Sequence, residues 1–233
     1  LGEMAAGIAH ELKNPLAGIE VMAGLLRRQV PDSAAAQSLL ADIMSEAKLA
    51  NSIVVEMLEF VRPLRLQVER IELSGVMHQA MTLAESKVSR GAVSVALNFS
   101  NDLPMIDGDQ HQLSQVFTNL LANAFEALDG KGHIAITAFS SVLESDPALP
   151  SGQGPVPMVV VDVADDGPGV PPELTDRIFD PFFTTKAQGS GLGLAIVTKI
   201  VDAHDGRIDV NSSEAGTRFR ITLPVSSATA WFR

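Results

Sequence analysis

Two apolar stripes with helical spacing run through the first 61 residues and constrain the fold more than any other feature. The first lies along residues 3–30, the second ends before Arg62-Pro63, and residues 30–33 interrupt them. The stripes consist of Met4, Ile8, Leu12, Leu16, Ile19, Met22 and Leu26, and of Leu39, Ile43, Ala47, Ala50, Ile53, Met57 and Val61. Spacings of three and four predict two amphipathic helices, which form a hairpin over residues 1–62. A lone hairpin cannot cover both stripes, so we expect a second copy to complete a four-helix bundle.

The pattern changes after a linker that we place at residues 63–70. Residues 71–226 alternate between helix-like and strand-like segments. The predicted helices cover 73–90, 109–128 and 190–204, and the predicted strands cover 93–99, 134–139, 158–163, 207–211 and 217–223. A segment rich in Ser, Pro and Gly at 141–157 is predicted to be a mobile connection. The expected fold class is α+β, a helical hairpin followed by an α/β sandwich with helices on one face of a mixed sheet.

Charge and composition exclude several classes of function. The formal net charge is −11 and no Lys/Arg-rich run occurs, which argues against nucleic-acid binding. The absence of Cys excludes disulfides and thiolate metal sites and fits a reducing cytoplasm. No apolar run approaches the roughly 20 residues of a membrane-spanning helix, so we expect no membrane contact by this chain. Because the chain starts inside a helical pattern, we expect a cytoplasmic fragment of a longer protein that can include a membrane anchor.

His10 lies on the polar face of the first predicted helix, about 160° from Leu12 at 100° per residue. Glu11 is its neighbour, and Asn14 follows one turn later on the same face. An accessible imidazole beside a carboxylate is suited to accept a phosphoryl group, since the carboxylate can take the proton from the other ring nitrogen. Asn14 could orient a water that hydrolyses a phosphorylated partner. The alternative is an exposed histidine without a function.

Two motifs in the second part are suited to bind a nucleotide. Asn119 and Asn123 lie one turn apart in a predicted helix, and amide oxygens are suitable ligands for Mg²⁺. The alternative is an ordinary polar helix face. Asp165 follows an apolar strand, and its carboxylate could accept a hydrogen bond from an exocyclic amine such as that of adenine. Gly167 and Gly169 would let the backbone approach a flat ring, although the same residues also suit a simple turn.

Two further segments complete the candidate site. Residues 178–186 concentrate three of the ten phenylalanines, which predicts a lid base or a surface that packs on a movable partner. Lys186 at its end is placed to contact a phosphate. Residues 189–194 are glycine-rich and precede a helix, where backbone N–H groups can face an anion. This segment fits neither a Walker A loop nor a Rossmann motif. Thr217, after Gly216, could close the pocket floor.

Taken in order, these motifs resemble the H, N, G1, F and G2 boxes of sensor histidine kinases, and most closely the nitrogen-regulation type. The boxes are His10-Glu11-Leu12-Lys13-Asn14-Pro15, Asn119-Leu120-Leu121-Ala122-Asn123-Ala124, Asp165-Asp166-Gly167-Pro168-Gly169, Phe179-Asp180-Pro181-Phe182-Phe183 and Gly189-Ser190-Gly191-Leu192-Gly193-Leu194. The resemblance covers nearly all of the chain. It implies a dimerisation and phosphotransfer hairpin followed by a Bergerat-type ATP-binding domain.

The resemblance also implies roles for individual residues. His10 would be the phosphoacceptor, Glu11 the acid/base, Asn14 a phosphatase residue, Asn123 the Mg²⁺ ligand and Asp165 the adenine reader. The other residues implied in nucleotide binding are Asn119, Gly167, Gly169, Lys186, Gly189, Gly191, Leu192, Gly193 and Thr217. The implied cofactors are ATP and Mg²⁺. The implied partners are a second copy of the chain and a response-regulator receiver domain, whose aspartate would take the phosphoryl group and could be dephosphorylated again.

Two other functions compete with this interpretation. An ATPase of the topoisomerase, chaperone or mismatch-repair kind would normally carry a general-base Glu one turn before the Mg²⁺ ligand, where this chain has Asn119. It would also leave the hairpin with His10 unexplained. A non-catalytic dimeric scaffold would be expected to have lost His10, Asn123 or Asp165, and all three are present. The kinase interpretation is therefore favoured.

Overall fold

The structure, a computed structural model, describes residues 2–143, 155–186 and 189–226, with side chains from residue 11 onward. Two compact units are present. One contains Leu1–Pro63 with Pro181–Gly193, and the other contains Leu64–Asp180 with Leu194–Arg233. None of the helices in the described ranges combines the length and the apolarity needed to cross a bilayer.

The first unit is built on the predicted hairpin of α1 (Gly2–Gln29) and α2 (Ala34–Val61). Ser33 caps the start of α2, since its side chain accepts the Ala36 N–H at 3.3 Å. Gln37 closes the turn, because its Nε2 donates to the Arg27 and Val30 carbonyls at 2.6 and 3.0 Å. The residue before Pro63 is extended, which ends α2 as the sequence predicts.

The hairpin buries small side chains and leaves large ones exposed. Ala23 and Ala47 retain only 4% and 6% of their exposure, so the two helices approach closely there. Larger apolar side chains of both predicted stripes are 40–63% exposed in the single chain, namely Leu12, Ile19, Met22, Leu26, Leu39, Ile43 and Met57. One copy of the hairpin therefore satisfies only part of its apolar surface.

The second unit pairs helices with a mixed sheet, as predicted. Its helices are α3 (Leu73–Lys87), α4 (Gln110–Leu128) and α5 (Gly193–Ala203), and its strands are β1 (Glu69–Ile71), β2 (Ala92–Phe99), β3 (Ile106–Gly108), β4 (Lys131–Leu143), β5 (Val156–Asp165), β6 (Arg207–Ser213) and β7 (Gly216–Pro224). The main sheet has the order β2-β4-β5-β7-β6, in which β2 and β4 are parallel and the other neighbours are antiparallel. Helix α4 packs on β4 and β5 and also contacts α3. The core between them includes Phe117, Phe125, Ile136, Val161 and Ile200.

The structure corrects several predicted boundaries. Helix α3 ends at Lys87 rather than residue 90, because Val88 is extended. The third predicted helix, 190–204, begins only at Gly193. The predicted connection 141–157 is partly strand, since residues 141–143 pair with residues 156–158, and its residues 144–154 lie outside the described ranges.

A two-stranded sheet of β1 and β3 was not predicted. Its strands are three residues long, with Ile71 opposite Ile106. Glu69 and Arg70, which the sequence placed in the linker, belong to this sheet. The preceding residues are also held, because the Gln67 N–H donates to Asp109 Oδ2 at 2.8 Å.

Candidate functional site

The predicted phosphoacceptor cluster lies on α1, whose backbone is helical through His10. Glu11 and Asn14 are exposed, whereas the side chain of His10 falls outside the described part of the structure. Pro15 lies inside the helix and removes one backbone donor just after the cluster. A Cβ built on Gly18 would meet no atom within 4 Å, so the surface one turn after Asn14 is open. The face can therefore admit a large partner.

Asp165 is the last residue of β5, on the face of the strand that also carries Val161 and Val163. Its Oδ1 accepts the N–H of Gly167 at 3.0 Å and the N–H of Thr217 at 3.4 Å. Among the described residues, no partner occupies Oδ2. Burial raises the pKa of the Asp165 carboxyl above its usual value, while the two N–H donors oppose this shift. One oxygen is thus fixed by the backbone and the other is available to a ligand.

Ser212 joins three parts of the backbone around Asp165. Its Oγ accepts the Val170 N–H at 2.7 Å and donates to the Gly216 carbonyl at 3.3 Å. Because a hydroxyl has one hydrogen, the 2.9 Å contact with Thr217 Oγ1 is then a bond donated by the buried Thr217. This network holds the turn after β5 against the β6–β7 hairpin.

Gly169 lies in the turn after Asp165 and has a φ of +76°. A Cβ there would lie 1.9 Å from the Ser213 carbonyl oxygen. Any side chain would therefore push the turn away from the β6–β7 hairpin, and only glycine fits. The sequence predicted an approach to a ligand ring here, whereas the structure shows that the neighbouring β6–β7 hairpin already requires the glycine.

Asn119 and Asn123 are half-buried on one face of α4, opposite the buried Leu121. The same face continues to Ala127, one turn after Asn123. A Cβ on Gly167 would lie 3.5 Å from the Ala127 Cβ, so this face of α4 meets the turn that follows Asp165. The structure thus brings the two predicted motifs of this unit together.

Residues 181–186 of the Phe-rich segment and residues 189–193 of the glycine-rich segment belong to the unit that contains the hairpin, and the two parts bond to each other. The Phe182 N–H donates to the Gly191 carbonyl at 3.0 Å. Gly191 has a φ of +70°, and a Cβ there would lie 2.5 Å from the Phe182 carbonyl carbon, so the close approach requires glycine. Phe182 has a φ of +67° and its ring is 58% exposed. A non-glycine residue in this conformation is strained, which is common at functional sites.

The remaining predicted residues of this unit flank that bond. Lys186 is exposed, and its N–H donates to Thr184 Oγ1 at 3.1 Å. The Gly189 N–H donates to the Lys186 carbonyl at 3.4 Å. Leu192 is buried, and Gly193 is the first residue of α5. The glycines therefore form a compact turn at the N-terminus of α5, where backbone N–H groups and the helix dipole favour an anion.

Sequence reasoning missed Ser212 and also His204, a buried residue that positions α4. The His204 Nε2 accepts the Asp109 N–H at 3.0 Å, and Nδ1 donates to the Ile200 carbonyl at 2.8 Å. Asp109 in turn caps α4, since its Oδ1 accepts the Gln112 N–H at 3.0 Å. These bonds require the neutral imidazole, and burial lowers the pKa of His204. A histidine just after an apolar helix carries no signal that separates it from a surface residue.

Comparison with known proteins agrees with both halves of this arrangement. Residues 1–64 match the His Kinase A (phospho-acceptor) domain. Residues 108–227 match the histidine kinase-, DNA gyrase B-, and HSP90-like ATPase family. The chain belongs to the sensor histidine kinases. The predicted family and the predicted fold class are therefore confirmed.

Individual relatives support the same assignment. The chain is 36% identical to the sensor histidine kinase ZraS of Escherichia coli (strain K12) over 227 residues, which is 97% of this chain and 46% of ZraS. It is 38% identical to the sensory histidine kinase/phosphatase NtrB of Rhodobacter capsulatus over 230 residues, covering 96% of this chain and 62% of NtrB. The chain therefore spans about half the length of the relatives that it matches.

Solved histidine kinase structures share the fold. Full-length ShkA in complex with AMPPNP aligns with a TM-score of 0.74 and 28% identity, over 98% of this chain and 47% of ShkA. Histidine kinase ThkA in complex with the response regulator protein TrrA aligns with a TM-score of 0.65 and 30% identity, over 97% of this chain and 62% of the other.

Proposed function

We propose that this chain uses Mg-ATP to phosphorylate its own His10 and then passes the phosphoryl group to an aspartate of a response-regulator receiver domain. The observation that carries the proposal is the presence of a phospho-acceptor hairpin and a nucleotide-binding ATPase domain on one chain. An ATPase without a protein acceptor would leave the hairpin without a role. Two relatives support the substrates, because ShkA was solved with an ATP analogue and ThkA with a response regulator.

Asp165 would recognise the adenine. Its Oδ1 is held by two backbone N–H groups, which orient Oδ2 before a nucleotide arrives. An acceptor fixed in this way can take a hydrogen bond from the exocyclic amine without losing side-chain entropy on binding. Gly167, Gly169 and Thr217 would shape the surface around the ring.

Asn123 would hold Mg²⁺, with Asn119 one turn away. A half-buried amide oxygen on a rigid helix fits the preference of this ion for hard oxygen ligands. Bound Mg²⁺ supplies positive charge that neutralises the phosphates. Lys186 and the N–H groups of residues 189–193 would add further positive charge and hydrogen-bond donors along the phosphate chain.

The chemical step uses the residues on α1. One imidazole nitrogen of His10 attacks the γ-phosphorus in line, forming an N–P bond while the bond from phosphorus to the β,γ-bridging oxygen breaks and ADP leaves. Glu11 accepts the proton from the other ring nitrogen, which keeps the phosphoimidazole neutral at that position. A receiver aspartate then attacks the phosphorus, its oxygen replaces the imidazole nitrogen, and Glu11 returns the proton to the other ring nitrogen so that neutral imidazole leaves.

The active species would be a homodimer. Seven of the large apolar side chains that stay exposed on the two helices of the hairpin lie on the predicted stripes. A second hairpin would cover them and complete a four-helix bundle. Sedimentation equilibrium of the parent and of Met22→Glu tests this, because a buried charge at a bundle position should shift the protein to monomers. A dimer of unchanged stability in Met22→Glu would place the interface elsewhere.

Phosphatase activity toward the receiver is the second proposed activity, with Asn14 as the residue that orients the attacking water. Asn14 is exposed one turn after His10, and the relative NtrB is described as a kinase/phosphatase. Asn14→Ala should then slow the release of phosphate from a phosphorylated receiver domain and leave phosphorylation of His10 intact. Equal release rates in parent and variant would contradict this role.

The central experiment is incubation with γ-³²P-ATP and Mg²⁺, comparing the parent with His10→Gln and with His111→Gln, an exposed histidine on α4. We expect protein label that is stable in alkali, labile in acid, lost in His10→Gln and kept in His111→Gln. ATP turnover without labelled protein would favour the ATPase alternative. The absence of both protein label and ATP turnover would favour the scaffold alternative.

A further inference from the structure

Glu56 on α2 contacts the glycine-rich segment. Its carboxylate accepts a hydrogen bond from the Ser190 hydroxyl. That hydroxyl also accepts the Leu192 N–H at 3.1 Å, so its one hydrogen and one of its lone pairs are both in use. Both side chains are half-buried, and residues 181–193 belong to the same compact unit as α2. The segment proposed to bind phosphate is therefore held on the hairpin by an acidic side chain.

The Glu56 carboxylate at this contact would repel a bound triphosphate, because both are negatively charged. Residues 189–193 would receive the phosphates, and Ser190 lies within that range. While the Ser190 bond holds the segment against α2, a phosphate bound there would be close to the Glu56 carboxylate, and each pair of like unit charges at about 4 Å lowers affinity roughly fivefold in bulk water. Without that bond the segment can move away from Glu56, and the repulsion falls. The Leu192 N–H, a candidate phosphate donor, is also already bonded to Ser190.

A neighbouring bond extends this contact to the Phe-rich part. The Phe182 N–H bond to Gly191 ties the Phe-rich part to the glycines next to Ser190. A contact that holds Ser190 therefore also favours the position of Phe182 next to Gly191. A single side-chain contact on α2 can in this way favour one conformation of the glycine-rich segment.

We propose that Glu56 is an autoinhibitory residue, whose bond to Ser190 keeps the glycine-rich segment on α2 in a conformation that disfavours the triphosphate. Nucleotide binding then requires this bond to break, and the apparent affinity is reduced by the fraction of molecules in which it is intact. The inference rests on the proposed function, because it concerns the same nucleotide site.

The test is a double-mutant cycle on Mg-ATP affinity, measured by isothermal titration calorimetry on the whole chain. Glu56→Ala should bind Mg-ATP about five- to tenfold more tightly than the parent, and Glu56→Gln should show part of this gain because it keeps an acceptor without the charge. In the Ser190→Ala background, Glu56→Ala should have no further effect. Glu46→Ala is the matched control, since Glu46 is an exposed acid on the same helix.

The outcomes separate this inference from the proposed function. If the parent binds Mg-ATP and labels His10, but Glu56→Ala binds equally or more weakly, the contact is not inhibitory and only this inference fails. An equal gain in Mg-ATP affinity in Glu46→Ala would assign the effect to net charge. An undiminished gain from Glu56→Ala in the Ser190→Ala background would do the same, and either result would overturn the inference. If no variant binds Mg-ATP, both the inference and the proposed function are wrong.

Discussion

Replacing Asp165 by Asn separates adenine recognition from folding. The Asn side chain has nearly the same shape, and its Oδ1 can still accept the N–H groups of Gly167 and Thr217. Its amide NH₂ takes the place of Oδ2 and can only donate. The exocyclic amine of adenine would then face a second donor, so the proposed recognition bond is lost.

The size of the effect follows from the bond that is removed. A hydrogen bond to a charged acceptor contributes about 1.5–3 kcal/mol. Its loss should weaken ATP binding roughly 10- to 150-fold. Asp162→Asn is the matched control on the same strand, because Asp162 is paired with Arg220 and should affect stability rather than ATP affinity. Calorimetric titration of the parent and both variants gives the three dissociation constants.

The same substitution, Asp165→Asn, should weaken ATP binding but increase folding stability. Burial raises the pKa of Asp165, so the folded state holds the proton more tightly than the unfolded state. The contribution of this carboxyl to stability is therefore greatest at low pH and is lost as pH rises through the folded pKa. Asn does not titrate, so Asp165→Asn should gain stability relative to the parent in urea unfolding as the pH rises from the unfolded pKa through the folded pKa of Asp165. A folded variant that binds ATP like the parent would refute the adenine role.

Three further predictions concern Gly169, His204 and Asn123. Gly169→Ala should destabilise the protein by at least about 3 kcal/mol in urea unfolding, because the added Cβ meets the Ser213 carbonyl, whereas Gly130→Ala, also at positive φ but with open space, should cost only about 1–2 kcal/mol. His204→Phe leaves the Asp109 N–H without its acceptor and should cost about 1–3 kcal/mol at neutral pH. Because the pKa of His204 is lowered on folding, the parent should lose stability as pH falls below the unfolded pKa, and His204→Phe should flatten this part of the pH profile. Asn123→Ala should lower the rate of His10 labelling at least roughly tenfold at saturating ATP, while nucleotide binding without Mg²⁺ stays unchanged.

Each of these has an outcome that would contradict it. Equal costs for the two glycine variants would mean that the turn after Asp165 relaxes without loss. A pH profile that is unchanged by His204→Phe would assign the acid sensitivity to other groups. Labelling by Asn123→Ala at the rate of the parent would remove this residue from the Mg²⁺ site.

The long elements could be predicted from the sequence because their signals are repeated. Helix α2 has an apolar stripe, a Ser33 cap and a proline just after its end, and these independent features agree on its bounds. Helix α4 likewise begins at the residue after the capping Asp109. The strands β1 and β3 have three residues each, which is too short for a period to appear. They form because the chain brings residues 69–71 and 106–108 together, which is a long-range event.

The sequence predicts which residue types form the candidate site, but it does not predict the hydrogen bonds around them. The resemblance predicted Asp165 and the glycines, whereas Ser212 and Glu56 contribute single hydrogen bonds from positions without a motif. The start of α5 was placed too early because Ser190 and Leu192 continue the apolar and polar pattern of the helix. Bonds of Ser190 to Glu56 and to Leu192 keep that stretch as a turn.

Asp162 and Asp165 show why burial and acidity alone do not identify a ligand site. Both lie on β5 three residues apart, and side chains alternate along a strand, so the two carboxylates point to opposite faces. Arg220 bonds both oxygens of Asp162, with Nε at 2.8 Å from Oδ1 and Nη2 at 2.7 Å from Oδ2. Both oxygens of that carboxylate are therefore already engaged by a cation. Asp165 keeps one oxygen that no described residue engages, and a half-buried acceptor in that state gains more from a ligand donor than one whose oxygens are both engaged.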